Sequence, residues 1–183
     1  MIMHNTKKEV REYAKGLRKA IPLTRRHEAH QTFLQTVSSY GDYSTILSYA
    51  SFGDEFDTWQ LNRQLMDQGR LLLPKTDCNG VIRAFHVTDI EKQLKKGFCG
   101  IMEPDADLCK EVSVSDVSLV FVPALAFDNS KHRLGYGKGC YDRLLSRISH
   151  STPYFGVGYK EQLLQFPIPT DTSDVFLSEL RLF

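Results

Sequence analysis

The chain has 183 residues, of which 23 are Lys or Arg and 22 are Asp or Glu, so its formal net charge is +1. This balance and a hydrophobic fraction of 42% are typical of a globular protein, and they exclude a disordered chain and a protein that coats nucleic acid. No apolar run reaches the roughly 20 residues of a membrane span, and the first residues lack the apolar stretch of a secretory signal. The four cysteines include no C-x-x-C pair, which agrees with a reducing compartment. We therefore expect a single domain over residues 1–183, located in the cytoplasm, without a membrane or nucleic-acid partner.

The first half of the chain predicts helices that alternate with strands. The Thr6 hydroxyl and the Glu9 carboxylate form a capping box for a first helix, which Pro22 ends. Thr24 is predicted to cap a second helix that Gly41 ends. The next predicted elements are a strand over 43–50, a helix that begins at Asp57 and ends near Gly69, a strand over 70–73 stopped by Pro74, a turn over 77–80, a strand over 81–87 and a short helix over 89–96.

The second half has its clearest structural signal in a continuous apolar run over 117–122, which predicts a central strand. After it come a glycine-rich loop, a helical face formed by Tyr141, Leu144, Leu145 and Ile148, and a strand over 154–157. Because strands and helices alternate along the chain, the expected fold class is α/β with a largely parallel sheet.

The glycine-rich loop is the strongest functional signal. Gly135, Gly137 and Gly139 occupy alternate positions between a buried strand and a helix, and Arg133 and Lys138 add two cations. Unshielded backbone N–H groups, a helix start and two cations favour the binding of an anion, most simply a phosphate. The spacing fits neither the Walker A loop nor the dinucleotide-binding fingerprint. The alternative is a glycine-rich surface turn with solvated cations, and the flanking strand and helix favour the phosphate site.

Five charged residues outside the loop are candidates for the same site. Asp142, on the first turn of the predicted helix, and Asp174 could hold Mg²⁺ beside a phosphate, although such acids are more often helix-dipole partners or solvated loop residues. Lys7 and Arg11 stand four residues apart on one helix face and could clamp phosphates, although a solvated basic face is more common. Glu55 follows a strand end and could hydrogen-bond a polar heterocycle or simply lead into the next helix.

In this order, the motifs resemble those of the 5-formyltetrahydrofolate cyclo-ligase family, also called 5,10-methenyltetrahydrofolate synthetases. The resemblance covers nearly the whole chain, and its most specific part is Val122-Pro123-x-x-Ala126-Phe127-Asp128 followed by Arg133-Leu134-Gly135-x-Gly137-Lys138-Gly139-x-Tyr141-Asp142. Weaker matches in the family order are Lys7-x-x-x-Arg11, Ser51-x-x-x-Glu55, Glu103-Pro104, Gly158-Tyr159-x-x-Gln162 and the segment 169–174.

The resemblance implies a monomer folded as a three-layer α/β/α sandwich with a largely parallel central sheet. It also implies an enzyme that uses MgATP to convert 5-formyltetrahydrofolate to 5,10-methenyltetrahydrofolate, in which the formyl oxygen is phosphorylated, N10 closes the ring, and ADP and phosphate are released. Carried over to this chain, ATP would contact Lys7, Arg11, Arg133, Leu134, Gly135, Tyr136, Gly137, Lys138, Gly139, Cys140 and Tyr141. The folate would contact Ala50, Glu55, Tyr136, Gly137, Lys138, Gly139 and Cys140. Asp142 and Asp174 would hold Mg²⁺, and Lys138 and Arg133 would be catalytic.

Two other functions remain open from the sequence. An ATP-using relative could act on a different substrate, since Tyr136 and Cys140 differ from residues common in the family. A nucleotide- or RNA-binding module could use the basic segment over 7–30, which carries eight Lys or Arg against three Asp or Glu, although no recognised RNA-binding motif is present.

Overall fold

The computed structural model describes residues 6–97 and 100–183, so Cys99 and the first five residues lie outside the described residues. The helices are α1 (Lys7–Ala20), α2 (Leu23–Gln35), α3 (Trp59–Asp67), α4 (Ile90–Gln93) and α5 (Cys140–Leu145). The strands are β1 (Ile46–Leu47), β2 (Leu71–Thr76), β3 (Ile82–His86), β4 (Leu94–Lys96), β5 (Met102–Pro104), β6 (Lys110–Val112), β7 (Leu119–Val122), β8 (Ala126–Asp128), β9 (Arg133–Leu134), β10 (Tyr154–Gly158), β11 (Leu163–Leu164) and β12 (Glu179–Leu182). No helix within these ranges is long and apolar enough to cross a membrane.

The largest sheet of the described residues has seven strands in the order β12-β10-β7-β1-β2-β3-β6. The strands β12, β10, β7, β1 and β2 are parallel to their neighbours in that series, whereas β3 runs antiparallel to both β2 and β6. β7 pairs with β1 on one side and β10 on the other, and all four of its residues are buried, as its apolar run predicts. The α/β class with a mostly parallel central sheet is therefore confirmed.

Successive residues of a strand point to opposite faces of the sheet, and buried residues pack on both faces of this one. Ile46 of β1 belongs to one hydrophobic core, together with Phe33 of α2 and Leu61 of α3. Its neighbour Leu47 belongs to a second core, together with Leu144 of α5. The alternation of β1 side chains thus places α2 and α3 on one face of the sheet and α5 on the other.

The helix α1 begins where the sequence predicts. The Thr6 hydroxyl accepts a hydrogen bond from the Glu9 backbone N–H at 3.3 Å, and the Glu9 carboxylate accepts one from the Thr6 N–H at 3.1 Å, which confirms the capping box. Val10 and Ala14 are buried in a third, smaller core against Leu125, next to the β8–β9 hairpin. Burial of this stripe fixes α1 beside the loop that follows the hairpin.

The strand boundaries around β1 and β2 differ from the prediction. The segment 43–50 was expected to be one strand, but β1 covers only Ile46–Leu47, which are the residues in register with both β2 and β7. Pro74 does not stop β2 but lies inside it, opposite Ala84 of β3. A proline is tolerated there because β1 pairs with β2 only at Leu71 and Leu72, so the missing N–H faces no strand.

The helix boundaries also needed correction. Thr24 does not cap α2, because Pro22 occupies the N-cap position, and α2 ends at Gln35 before a short 3₁₀ turn over Val37–Tyr40. The helix predicted over 89–96 is the single turn α4, capped by the Asp89 side chain and followed directly by β4, which pairs with β5. The helical face predicted to extend to Ile148 ends earlier, since α5 stops at Leu145.

The hairpin of β8 and β9 carries the glycine-rich loop, and the sequence did not predict it. Asp128 is buried at its turn, where Oδ1 accepts the N–H groups of Ser130 and His132 at 2.9 and 3.0 Å. Its Oδ2 accepts His132 Nδ1–H and the Ile168 N–H, both at 2.9 Å. Burial would raise the pKa of Asp128, but these donors outweigh burial and lower that pKa. The carboxylate thereby fixes the position from which Arg133 leads into the loop.

Candidate active-site cleft

A cleft of about 1200 Å³ opens at the carboxyl ends of β1, β2 and β7, the edge at which ligands bind in open α/β sheets. Its lining includes Ala50 after β1, Thr76 at the end of β2 and Pro123 after β7. The residues predicted from the sequence all line this cleft: Lys7, Arg11, Ala50, Glu55, Arg133, Leu134, Gly135, Tyr136, Gly137, Lys138, Gly139, Cys140, Tyr141, Asp142 and Asp174. The fold thus brings together side chains as far apart in sequence as Lys7 and Asp174, while their individual roles stay predictions.

One wall of the cleft is α1, which carries a row of cations along it. Lys7 contacts Asp174, Arg11 contacts the glycine-rich loop at Gly135, and Arg18 contacts the loop after β1. An α-helix rises about 1.5 Å per residue, so Lys7 and Arg18 are separated by about 16 Å along the axis. The cleft therefore has two ends, which we name the Lys7 end and the Arg18 end.

At the Lys7 end, one ammonium group is paired with two carboxylates. Lys7 Nζ lies 2.6 Å from Oδ2 of both Asp171 and Asp174. Burial alone would lower the pKa of Lys7, but the two hydrogen bonds outweigh it and raise that pKa. Burial would likewise raise the pKa of Asp174, yet Lys7 and the Asp171 backbone N–H hold it below its ordinary value.

A second ion pair joins Arg133 and Asp142 in the same region. The Arg133 side chain is only 5% exposed, and it donates from Nη2 to Asp142 Oδ1 and from Nη1 to the Val175 carbonyl at 2.7 Å. The Val175 N–H donates to the same Asp142 oxygen at 3.2 Å. Burial lowers the pKa of Arg133 although Asp142 opposes that effect. Because Val175 follows Asp174 in the chain, both predicted metal ligands lie beside the Arg133 guanidinium.

These carboxylates fit Mg²⁺ as part of a shared site. Within the ranges that the structure describes, no group of three or more His, Cys, Asp or Glu could hold a metal ion by itself. Among the described residues, the hydrogen bonds of Asp142 use Oδ1 and those of Asp174 use Oδ2, which leaves the second oxygen of each carboxylate for another ligand. Mg²⁺ is usually held by one or two carboxylates together with phosphate oxygens and waters. The donor set therefore suits a Mg²⁺ ion that arrives with a phosphate.

The glycine-rich loop is packed against α1 and α5. Gly137 has φ +94°, a backbone conformation that favours glycine, and a Cβ there would lie 3.2 Å from the Arg11 guanidinium carbon. Arg11 Nε donates to the Gly135 carbonyl at 3.0 Å. Lys138 has an exposed side chain, and its backbone carbonyl accepts a 3.0 Å hydrogen bond from Arg143. Two arginines thus hold the loop on either side of the exposed Lys138 side chain.

At the Arg18 end, Glu55 presents a half-buried carboxylate. Its Oε2 accepts the Phe52 backbone N–H at 3.1 Å, and its Oε1 accepts the Tyr136 hydroxyl at 3.2 Å. Burial raises the pKa of Glu55, whereas the Phe52 N–H, the Arg18 charge and the Tyr136 hydroxyl act in the opposite direction. The cleft thus has a fixed hydrogen-bond acceptor at the end opposite the Lys7 ion pairs.

The cleft residues that sequence reasoning missed include three charged side chains that contact predicted ones: Arg18, Arg143 and Asp171. A signal for Arg18 was present, because Lys7, Arg11 and Arg18 recur at the spacing of a single helix face. Asp171 carried no signal of its own, since only the fold brings it to Lys7.

The fold and cleft define an α/β protein whose glycine-rich loop lines a cleft at the carboxyl ends of its parallel strands. The model of the 5-formyltetrahydrofolate cyclo-ligase family matches residues 3–181, and the chain belongs to that family. Relatives named 5-formyltetrahydrofolate cyclo-ligase include one from Mus musculus, 29% identical over 90% of this chain and 82% of its own, and one from Haemophilus influenzae, 27% identical over 96% of this chain and 98% of its own. A Mycoplasma genitalium cyclo-ligase is 41% identical over a shorter segment, which is 31% of this chain and 34% of that relative.

Solved structures agree with this membership. The 5,10-methenyltetrahydrofolate synthetase of Aquifex aeolicus superposes with a TM-score of 0.76 at 30% identity, covering 95% of this chain and 88% of that one. The 5,10-methenyltetrahydrofolate synthetase of Mycoplasma pneumoniae superposes with a TM-score of 0.74 at 20% identity, covering 95% of this chain and 96% of that one. This likeness shows a common fold.

Proposed function

We propose that this protein is an ATP- and Mg²⁺-dependent ligase that converts 5-formyltetrahydrofolate to 5,10-methenyltetrahydrofolate, releasing ADP and phosphate. The observation that carries the proposal is one cleft with cations and paired carboxylates at the Lys7 end and the Glu55 acceptor at the Arg18 end. Family membership supports the same reaction. The proposal includes a single domain that acts as a monomer in the cytoplasm without a nucleic-acid partner.

The reaction needs phosphorylation because a formyl oxygen is a poor leaving group. The formyl oxygen attacks the γ-phosphorus, the bond to the β,γ-bridging oxygen breaks, and ADP leaves. N10 then attacks the activated formyl carbon and loses its proton, and the C–O bond breaks to release phosphate. No side-chain nucleophile is required, so the work of the protein is positioning and neutralisation of charge.

The glycine-rich loop and α1 would bind the triphosphate. The exposed Lys138 would neutralise charge on the transferred phosphoryl group, and Arg11 would extend the same positive wall of the cleft. Arg133 is committed to Asp142 in the structure, so it would act by holding that carboxylate and by adding positive charge behind it. Asp142 and Asp174 would hold Mg²⁺, which on binding would offset the charge of the phosphates.

The folate would lie across the Arg18 end. The Glu55 carboxylate is a suitable acceptor for the N–H donors of a polar heterocycle, because it is half-buried and fixed by two protein donors. Ala50, buried three residues after β1, would form the floor beside it. The segment 136–140 lines the same cleft, so it would contact both substrates and bring the formyl group to the phosphate.

The direct test follows the absorbance of methenyl-folate with purified protein, MgATP and 5-formyltetrahydrofolate. We expect turnover by the wild type and a loss of at least about a hundredfold for Lys138→Ala, as for removal of one group that stabilises transition-state charge. Lys110→Ala, on the exposed strand β6 away from the cleft, is the matched control and should retain activity. A folded wild type that does not cyclise the folate would refute the proposal, and ADP release that does not depend on the folate would indicate a different substrate.

A further inference from the structure

Arg18 is a buried cation that joins three segments of the cleft. Its side chain is 3% exposed. It donates to the Ala124 carbonyl after β7 at 3.3 Å, to Asp54 after β1 at 2.7 Å and to the Tyr136 hydroxyl of the glycine-rich loop at 2.6 Å. Because a buried charge is stable only when it is paired and hydrogen-bonded, these contacts fix the relative positions of the three segments.

The Tyr136 hydroxyl lies between Arg18 and Glu55, and its proton has one direction to take. A guanidinium group has donors and no acceptor, so the hydroxyl oxygen must accept from Arg18. The hydroxyl proton is then free to be donated to Glu55 Oε1, 3.2 Å away. Tyr136 is 53% exposed and lines the cleft, and the centroid of its ring lies 5.7 Å from the Arg18 guanidinium carbon.

This chain of donors leaves Glu55 ready for a ligand. Within residues 6–97 and 100–183, each carboxylate oxygen receives one protein donor, the Phe52 N–H on Oε2 and the Tyr136 hydroxyl on Oε1. A carboxylate oxygen can accept two hydrogen bonds, so both oxygens retain a lone pair for a substrate with two adjacent N–H donors. Neither protein contact has to break when such a substrate binds.

We propose that Arg18 and Tyr136 are positioning residues, in which Arg18 orients the Tyr136 hydroxyl and Tyr136 holds the Glu55 carboxylate in the orientation that binds the folate heterocycle. The inference rests on the proposed function, because it takes Glu55 as the folate acceptor. It adds a specific expectation about Arg18. Loss of Arg18 should weaken folate binding, because Tyr136 is no longer oriented, and this effect does not depend on ATP binding.

The charges around Glu55 give this arrangement a pH signature. The groups that face Glu55 are Arg18 from α1, Tyr136 from the glycine-rich loop, Asp54 from its own loop, and the tyrosines Tyr49 and Tyr141. Burial and Asp54 raise the pKa of Glu55, while Arg18 and Tyr136 lower it. Removing either of the latter two therefore moves the pKa of Glu55 further up, so an ionised Glu55 requires a higher pH.

The test compares Tyr136→Phe, Arg18→Gln and the double variant. Tyr136→Phe removes only the hydroxyl that donates to Glu55 and leaves the backbone of the 136–140 segment in place. We therefore expect it to raise the KM for 5-formyltetrahydrofolate about tenfold and to change the KM for ATP far less. The acid limb of kcat/KM for the folate should move to higher pH in both single variants. In the Tyr136→Phe background, Arg18→Gln should have much less effect on the folate KM than it has alone, because the relay is already broken.

Tyr43→Phe and Arg63→Gln are matched controls away from the cleft and should leave both KM values unchanged. Equal effects on ATP and folate, an unmoved acid limb, or additive effects of the two substitutions would each overturn the inference. Should Arg18→Gln fail to fold, as seen by thermal unfolding, Tyr136→Phe alone still decides through its KM values and its pH profile. Turnover by the wild type tests the proposed function separately, so failure of one is not mistaken for failure of the other.

Discussion

The substitution Gly137→Ala tests whether the conformation of the glycine-rich loop is what binds the phosphates. Gly137 has φ +94°, and an added Cβ would lie 3.2 Å from both Cζ and Nη2 of Arg11. A side chain in such a sparsely populated backbone region costs about 1–3 kcal/mol, before any displacement of Arg11 is counted. If the loop keeps its shape, the free energy of unfolding falls by that amount. If the loop relaxes instead, the cost appears when ATP reorders it.

The assay therefore measures both quantities on one protein. Thermal or urea unfolding without ligand gives the stability, and initial rates at varied ATP give kcat/KM. The penalty of about 1–3 kcal/mol can be divided between the free energy of unfolding and ATP binding. If all of it falls on ATP binding, kcat/KM falls roughly 5- to 150-fold. Gly16→Ala is the control, because Gly16 lies inside α1 with nothing within 4 Å of an added Cβ. It should stabilise the protein by about 0.5–1 kcal/mol and leave the rate alone. Wild-type stability together with wild-type ATP kinetics in Gly137→Ala would refute the reasoning.

Two further substitutions test the acids beside the loop. Asp128→Asn should lower the free energy of unfolding by about 1–3 kcal/mol, because the new amide N–H₂ group faces donors that the carboxylate accepted. The folded pKa of Asp128 is lowered, so its stabilisation is present above the ordinary pKa near 3.9 and is lost as pH falls further; the difference between variant and wild type in urea unfolding should shrink there. Asp142→Asn should raise the Mg²⁺ concentration for half-maximal rate by roughly 10- to 100-fold at saturating folate, and an unchanged Mg²⁺ requirement would remove Asp142 from the metal site.

Local signals in the sequence predicted the elements whose stability is itself local. The capping box of Thr6 and Glu9 placed the start of α1, and the apolar run over 117–122 placed β7 in the middle of the sheet. The capping box depends on two residues that are close in sequence, and the complete burial of β7 is visible as a run of apolar residues. The glycine-rich loop was visible for the same reason, because alternate glycines have few other uses between a strand and a helix.

Features that depend on distant partners were not predictable in this way. β1 is short because only two of its residues are in register with neighbours on both sides, which the segment 43–50 does not encode. Pro74 is accepted within β2 because β1 has already stopped pairing, again a property of the partner. The β8–β9 hairpin depends on Asp128, whose partner Ile168 lies forty positions further along the chain.

The candidate site also depends on contacts between residues that are distant in sequence. These contacts explain why a net charge of +1 carries little information about the site. Lys7 and Asp174, or Arg133 and Asp142, cancel in any sum over the chain, yet the fold places each pair in contact inside the cleft. A triphosphate that arrives with Mg²⁺ would not have to separate these pairs, because the second oxygen of Asp142 and of Asp174 would face the metal while Arg133 and Lys7 stay beside the carboxylates. Keeping the pairs together avoids leaving any of the four charges unpaired in a partly buried site, where an unpaired charge is most costly. It follows that removing Lys7 alone should weaken ATP binding and also leave Asp174 without its partner, so its effect on stability and on ATP affinity should appear together.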